Sequence, residues 1–134
     1  PSWQLADGAD QSLVSSFEVS GVQINSFRKV QFDLEYTSSV NTGDFAVAVG
    51  YCVLKEGETM SGVSFTTPVS YEVLSPPATA NYLTTVTLTG TIPGEALQNA
   101  KRIVVKLTRL GSTQPGADTS TGNMLVTGVV AKQV

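Results

Sequence analysis

The chain of 134 residues contains no histidine. That absence removes Ser-His-Asp and Cys-His nucleophilic sites, the commonest general base, and the imidazole ligands of most metal centres. There is one cysteine, Cys52, which excludes an intrachain disulfide framework and any thiolate zinc or iron–sulfur site. Because Cys52 stands inside the apolar run "FAVAVGYCVL", a buried and unreactive thiol is expected. Charge is scarce as well: 14% of residues are charged, the net charge is −3 and the pI is near 4.7. Nucleic acid is therefore not expected as a partner, since phosphate binding needs clustered Lys and Arg to displace counterions. The one basic cluster, Lys101, Arg102, Lys106 and Arg109, lies in a single strand-like run and reads as a solvated outer face. No window approaches 18 consecutive apolar residues, and no basic segment followed by an apolar one opens the chain. A membrane partner and a signal peptide are accordingly not expected.

What the chain has is material for strands. It contains 18 Val and 16 Thr with 12 Gly and 6 Pro, a composition that favours short strands joined by tight turns. Its length suits one domain. In "VQFDLEY" (Val30–Tyr36) Val30, Phe32, Leu34 and Tyr36 face one way while Gln31, Asp33 and Glu35 face the other, the pattern of a half-buried strand. Phe45–Leu54 repeats it, with Phe45, Val47, Val49, Tyr51 and Val53 on one face and Ala46, Ala48, Gly50 and Cys52 on the other. A face made of small residues suggests close cover by something else, such as another subunit. Weaker runs occur at Ser16–Val19, Val22–Phe27, Ser64–Thr67 and Val69–Val73, followed by Leu83–Ile92, a helical turn within Pro93–Ala100, then Ile103–Arg109 and Met124–Ala131. About eight short strands with turn signals every 8–12 residues predict an all-β domain: a single antiparallel β-sandwich of jelly-roll type. Residues 13–134 form that domain, and the polar residues 1–12 read as an N-terminal arm.

Candidate chemistry is thin, and no enzymatic activity, metal or cofactor is expected. Asp33 and Glu35 are about 7 Å apart by strand rise, but they lie on the solvent face without an aromatic platform, which does not suit a carboxylate pair for glycoside hydrolysis. Glu56 and Glu58 flank the turn glycine Gly57 and read as solubilising. Asp118, with Asn123 and the carbonyls of "GADTSTGN", offers oxygen ligands, yet their spacing matches no carboxylate-rich calcium loop. Arg109 falls at the end of its strand on the inward face, where an unpaired guanidinium would be costly, and Asp118 is the nearest acid in the returning loop. These two are expected to pair and pin the loop. Partner contacts are expected from the arm, through Trp3 and Leu5, and from the small-residue face, through Ala46 and Ala48.

The stretches "VQFDLEYTSSVNTGDFAVAVGYCVL" and "ANYLTTVTLTGTIPGEALQNAKRIVVKLTRLGSTQPGADTSTGNMLVTGVVAK" carry a further signal. A first strand precedes a Thr/Gly loop and a strand opening Asp44-Phe45. A Thr-rich strand, a Gly94-Glu95 turn, a strand ending in Arg109, a polar loop with Asp118 and a final "LVTGVV" strand follow. This series resembles a β-sandwich domain of structural proteins in tailed-bacteriophage particles, over residues 30–132. The N-terminal stretch departs from that pattern, and small residues replace the tryptophan expected in the second strand. The resemblance implies a virion component made in the bacterial cytoplasm: a capsid decoration or cement protein that binds coat subunits and self-associates, a trimer being one option. The alternative is a carbohydrate- or receptor-binding domain of a tail fibre or baseplate, for which Tyr82 and Trp3 are the aromatic rings not at core positions.

Overall fold

The computed structural model describes residues 3–19, 28–58, 65 and 70–134. Among them are eight strands: β1 (Trp3–Leu5), β2 (Asp10–Glu18), β3 (Val30–Ser38), β4 (Phe45–Lys55), β5 (Ser70–Leu74), β6 (Thr84–Ile92), β7 (Ala100–Leu110) and β8 (Met124–Gln133). They form two sheets, ordered β1-β8-β3-β6 and β2-β7-β4-β5, and every pairing is antiparallel. The pairs β1·β8, β2·β7, β3·β6 and β4·β5 nest inside one another like the arms of one long hairpin. Rolling that hairpin over itself yields the two sheets, which is the jelly-roll arrangement.

Alternation along the strands builds the core. Phe32, Leu34 and Tyr36 of β3 and Leu88 and Ile92 of β6 bury themselves against Phe45, Val47 and Val49 of β4 and Ile103, Val105 and Leu107 of β7. The intervening residues of β3, Gln31, Asp33 and Glu35, stay on the outside. Between β6 and β7 the chain makes a single 3-10 turn, Gly94–Leu97. Pro93 enters it with φ already at −59°, its carbonyl accepts the Ala96 N–H at 3.0 Å, and Leu97 is driven into the core. Asn99, at φ 62°, then turns the chain into β7, a left-handed conformation that asparagine tolerates.

The N-terminal stretch is not an arm. Trp3–Leu5 pairs with Met124–Val126, and β2 begins at Asp10 and runs through the expected boundary at residue 12. The Leu5 side chain is buried, and its carbonyl accepts a hydrogen bond from Arg109. The β8 backbone and the Arg109 guanidinium thus recruit a segment too short to show a period of its own. The candidate strand Val22–Phe27 lies outside the described residues, as does Ser64–Thr67 apart from Phe65, while the run at Val69–Val73 corresponds to β5.

The connections β1–β2, β3–β4, β5–β6 and β7–β8 gather at one end and bond to one another. The Asn81 N–H donates to the Ser38 carbonyl at 2.8 Å, the Ser39 N–H to the Asn123 carbonyl at 3.2 Å, and the Thr119 and Ser120 N–H groups both donate to the Asp44 carbonyl. Tyr36 adds its hydroxyl hydrogen to the Ser75 carbonyl at 2.5 Å. Gly43 lets the β3–β4 turn meet the β7–β8 loop: its φ is +76°, and a Cβ there would stand 2.6 Å from the Thr119 carbonyl oxygen. Gly57 also has a positive φ, +84°, but open space around it. Gly57→Ala is therefore expected to cost about 1–2 kcal/mol from backbone strain alone, and Gly43→Ala distinctly more because backbone must also shift. Urea unfolding of the two variants checks this, and equal losses would contradict the close approach at Gly43.

Candidate functional site

Arg109 is the largest of the fully buried side chains, 0% exposed. It points inward from the end of β7, as strand parity requires, into a cradle assembled by the clustered loops. A guanidinium has five N–H donors, and all five are satisfied. Nε donates to Asp118 Oδ2 at 2.9 Å and Nη2 to Asp118 Oδ1 at 2.8 Å, a bidentate fork. Nη2 also donates to the Ser120 carbonyl at 2.9 Å, and Nη1 to the carbonyls of Gly122 at 2.7 Å and Leu5 at 3.0 Å. Asp7 stands 3.5 Å away at the exposed side, and the Phe45 ring lies under the guanidinium at 4.7 Å, close enough for a cation–π contribution. Asp118 Oδ2 accepts one more hydrogen bond, from the Ala46 N–H.

This geometry decides between a ligand loop and a structural corner. The Asp118 carboxylate and the carbonyls of its loop do surround a cation, and that cation is Arg109. The loop's coordinating capacity is spent within the protein. A second carboxylate works the same loop from outside: Asp10 accepts hydrogen bonds from the Ser112 and Thr113 N–H groups and from both their hydroxyls. These bonds, led by the Thr113 hydroxyl, hold the Asp10 carboxyl down from its ordinary 3.8 to about 2.

The two carboxylates of β3 are engaged too. Asp33 accepts from Lys132 Nζ at 2.8 Å and from the Thr87 hydroxyl at 2.6 Å, and these two partners keep its carboxyl below the usual range. Glu35 accepts from the Thr127 hydroxyl at 2.7 Å. The pair sits on the outer face of its sheet, half-buried. Among the described residues no three Asp, Glu or Cys side chains converge as a metal site. Cys52 is half-buried rather than buried, and desolvation, helped by the Glu58 carboxylate, pushes its thiol upward and away from reactivity. A groove of about 220 Å³ opens at the end of the sandwich away from Arg109, lined by the apolar Phe17, Val19, Val30, Ile103 and Ala131 together with Glu18, Lys132 and Gln133.

Of the residues expected to contact partners, Leu5 and Ala46 are buried, and their backbones are bound to Arg109 and Asp118. They are unavailable to a partner. Trp3 remains accessible, and Ala48 is half-buried on the outer face of the β2-β7-β4-β5 sheet. On that face the register lines up Ser12, Thr108, Ala48 and Tyr71 across the four strands, with Val14, Lys106 and Gly50 in the neighbouring row, and the Phe65 ring lies against the Lys106 ammonium at 5.7 Å. Tyr71, 48% exposed, and Val73, 49% exposed, stand side by side on it from β5, and Val14 is exposed at the opposite edge. Sequence reasoning missed Tyr71 and Val73 because the β5 run is apolar at several positions and its orientation is not settled by alternation. At the loop end, Tyr82 is 67% exposed with Leu83 beside it, on a loop anchored by Asn81.

No family model matches the chain, and no curated protein matches it.

Arg109→Met should lower stability by about 3–5 kcal/mol, because it leaves Asp118 buried without its counter-charge. Arg109→Lys should recover little of this, an ammonium having three donors where five acceptors wait. Chemical denaturation measures both, and a loss under about 1 kcal/mol for Arg109→Met would refute the role of the pair. For Asp10 the folded-state pKa lies below the unfolded one, so its stabilisation is complete above about pH 4 and is lost as pH falls toward 2. The stability gap between wild type and Asp10→Asn should therefore close over that interval; a gap that is constant with pH would exclude the contribution.

Proposed function

We propose that the protein is a non-enzymatic structural component of a phage virion, a decoration protein that binds coat subunits and stabilises the particle. The observation that carries this reading is the outer face of the β2-β7-β4-β5 sheet. Tyr71 and Val73 give a partner exposed apolar anchors beside the small, half-buried Ala48. Tyrosine suits such a role because its ring buries a large area at small entropic cost. The polar groups that would confer reactivity are instead consumed in holding loops, around Arg109 and Asp10. The resemblance of residues 30–132 to sandwich domains of phage structural proteins supports the same reading. The sheet face takes over the attachment role that an N-terminal arm would have had.

Repetition suits this kind of surface. A standard contact removes about 1,600 Å² from water, and many modest contacts around a shell add up through avidity. Co-sedimentation with phage heads that lack their accessory proteins tests the reading. Binding should saturate, raise the temperature at which heads rupture, and weaken about tenfold or more in Tyr71→Ser/Val73→Ser, with unfolding of that variant in isolation nearly unchanged. Heads that neither bind nor gain heat resistance would refute it.

Tyr82 supports a second reading, a receptor- or carbohydrate-binding domain of a tail fibre. An exposed ring on an anchored loop is what stacking on a sugar face requires. Glycan-array binding abolished by Tyr82→Ala, with no binding to heads, would decide for this alternative.

A further inference from the structure

The four connections at the Arg109 end, residues 6–9, 39–44, 75–83 and 111–123, all lie within the described residues. They contain no Lys or Arg. Arg109 itself is buried, and its donors are taken by Asp118 and three carbonyls. The β5–β6 connection is braced at three points. Tyr36 donates to the Ser75 carbonyl at 2.5 Å, Asn41 Nδ2 to the Ala78 carbonyl at 3.3 Å, and the Asn81 N–H to the Ser38 carbonyl at 2.8 Å. Two consecutive prolines, Pro76 and Pro77, restrict its backbone further. This braced loop displays Tyr82, 67% exposed, and Leu83, 60% exposed. Asn81 and Thr79 flank them, both exposed, and the Thr79 carbonyl accepts the Tyr82 N–H at 3.2 Å. One more polar group belongs to this corner. Leu83 precedes Thr84, the partner of Tyr36, which sets it level with Thr37. The Thr37 hydroxyl is buried and has no hydrogen-bond partner among the described residues.

We propose that this corner binds an uncharged glycan, with one sugar ring laid on the Tyr82 ring. The inference rests on the reading of Tyr82 as a sugar contact and names the class of sugar. Charge selects it first: a sialylated, uronic or sulfated glycan would meet no accessible cation in the four connections, and would approach Asp7 and Asp44 instead. Size selects it next. A protein partner needs about 800 Å² of contact on each side with several anchors, whereas within the four connections Tyr82 and Leu83 are the exposed large apolar side chains. One aromatic ring matches one face of a pyranose. Hydrogen bonding selects it last, because sugar hydroxyls both donate and accept, as do the side-chain amides of Asn81 and Asn41. The Thr37 hydroxyl, desolvated already, gains a partner when a ligand hydroxyl seats beside Leu83. Bracing of the loop lowers the entropic cost, since little remains to be ordered on binding. Tyr82 leads into β6, which is not in the sheet proposed to face coat subunits, so the site does not depend on coat binding.

An array that carries neutral hexose and N-acetylhexosamine glycans next to sialylated, uronic and sulfated ones tests this with the full chain. Binding should be confined to neutral glycans, unchanged in high salt, and about tenfold weaker in Tyr82→Ala. Asn81→Gly removes the amide yet tolerates the positive φ of that residue, 66°. It should weaken binding severalfold, with unfolding in urea nearly unchanged, while Tyr71→Ser leaves binding intact. Equal or preferential binding of acidic glycans, or neutral binding undiminished in either loop variant, would overturn the inference but leave glycan binding as such standing. No binding to any glycan would overturn both.

Discussion

A guanidinium in a protein interior is tolerable only if every donor has an acceptor and the charge has a counter-charge. Arg109 imposes that requirement on three separate segments of this chain. β1 supplies the Leu5 carbonyl, the β7–β8 loop supplies Asp118 and the carbonyls of Ser120 and Gly122, and β4 supplies the Phe45 ring. Asp118 in turn holds the Ala46 N–H. The β7–β8 loop has few apolar side chains to bury, so hydrogen bonding, not hydrophobic burial, orders it. Close packing of Gly43 on Thr119 and of Gly122 on Val40 follows from the same convergence.

The consequence for function is a division of labour between the inside and the outside. Polar groups that could act on a ligand face one another instead, and the surface that remains is low in charge, rich in Thr and small residues, and punctuated by Tyr71, Val73 and Tyr82. On the proposed reading such a surface contributes contact area, and it could be repeated around a particle without placing unpaired charges in each interface, where buried charge would be most costly.

Much of the fold was legible because burial on one face imposes alternation. β3, β4 and β7 show it over seven or more residues, and the same parity put Arg109 on the inward face with Asp118 as its partner. Legibility ended where tertiary contacts, not local pattern, decide structure. Trp3–Leu5 is a strand because Met124–Val126 and Arg109 accept it there, a fact that no three-residue pattern contains. Ala46 has the outward parity of a surface residue but is covered, its N–H tied to Asp118. Tyr71 and Val73 are apolar side chains that a single sequence does not distinguish from core. Glu72 looks like a solvated acid, and only its hydrogen bond from the Thr89 N–H reveals it as a strut between β5 and β6.

The central claim is that the Arg109 guanidinium is locked, with all five hydrogens bonded inside the protein. Nuclear magnetic resonance of the side chain reads this directly. The account predicts resolved Nη hydrogen signals at 25 °C, reflecting hindered rotation about the Cζ–N bonds, with Nε–H exchange as slow as that of core amides. A single averaged Nη signal with rapid solvent exchange would contradict it.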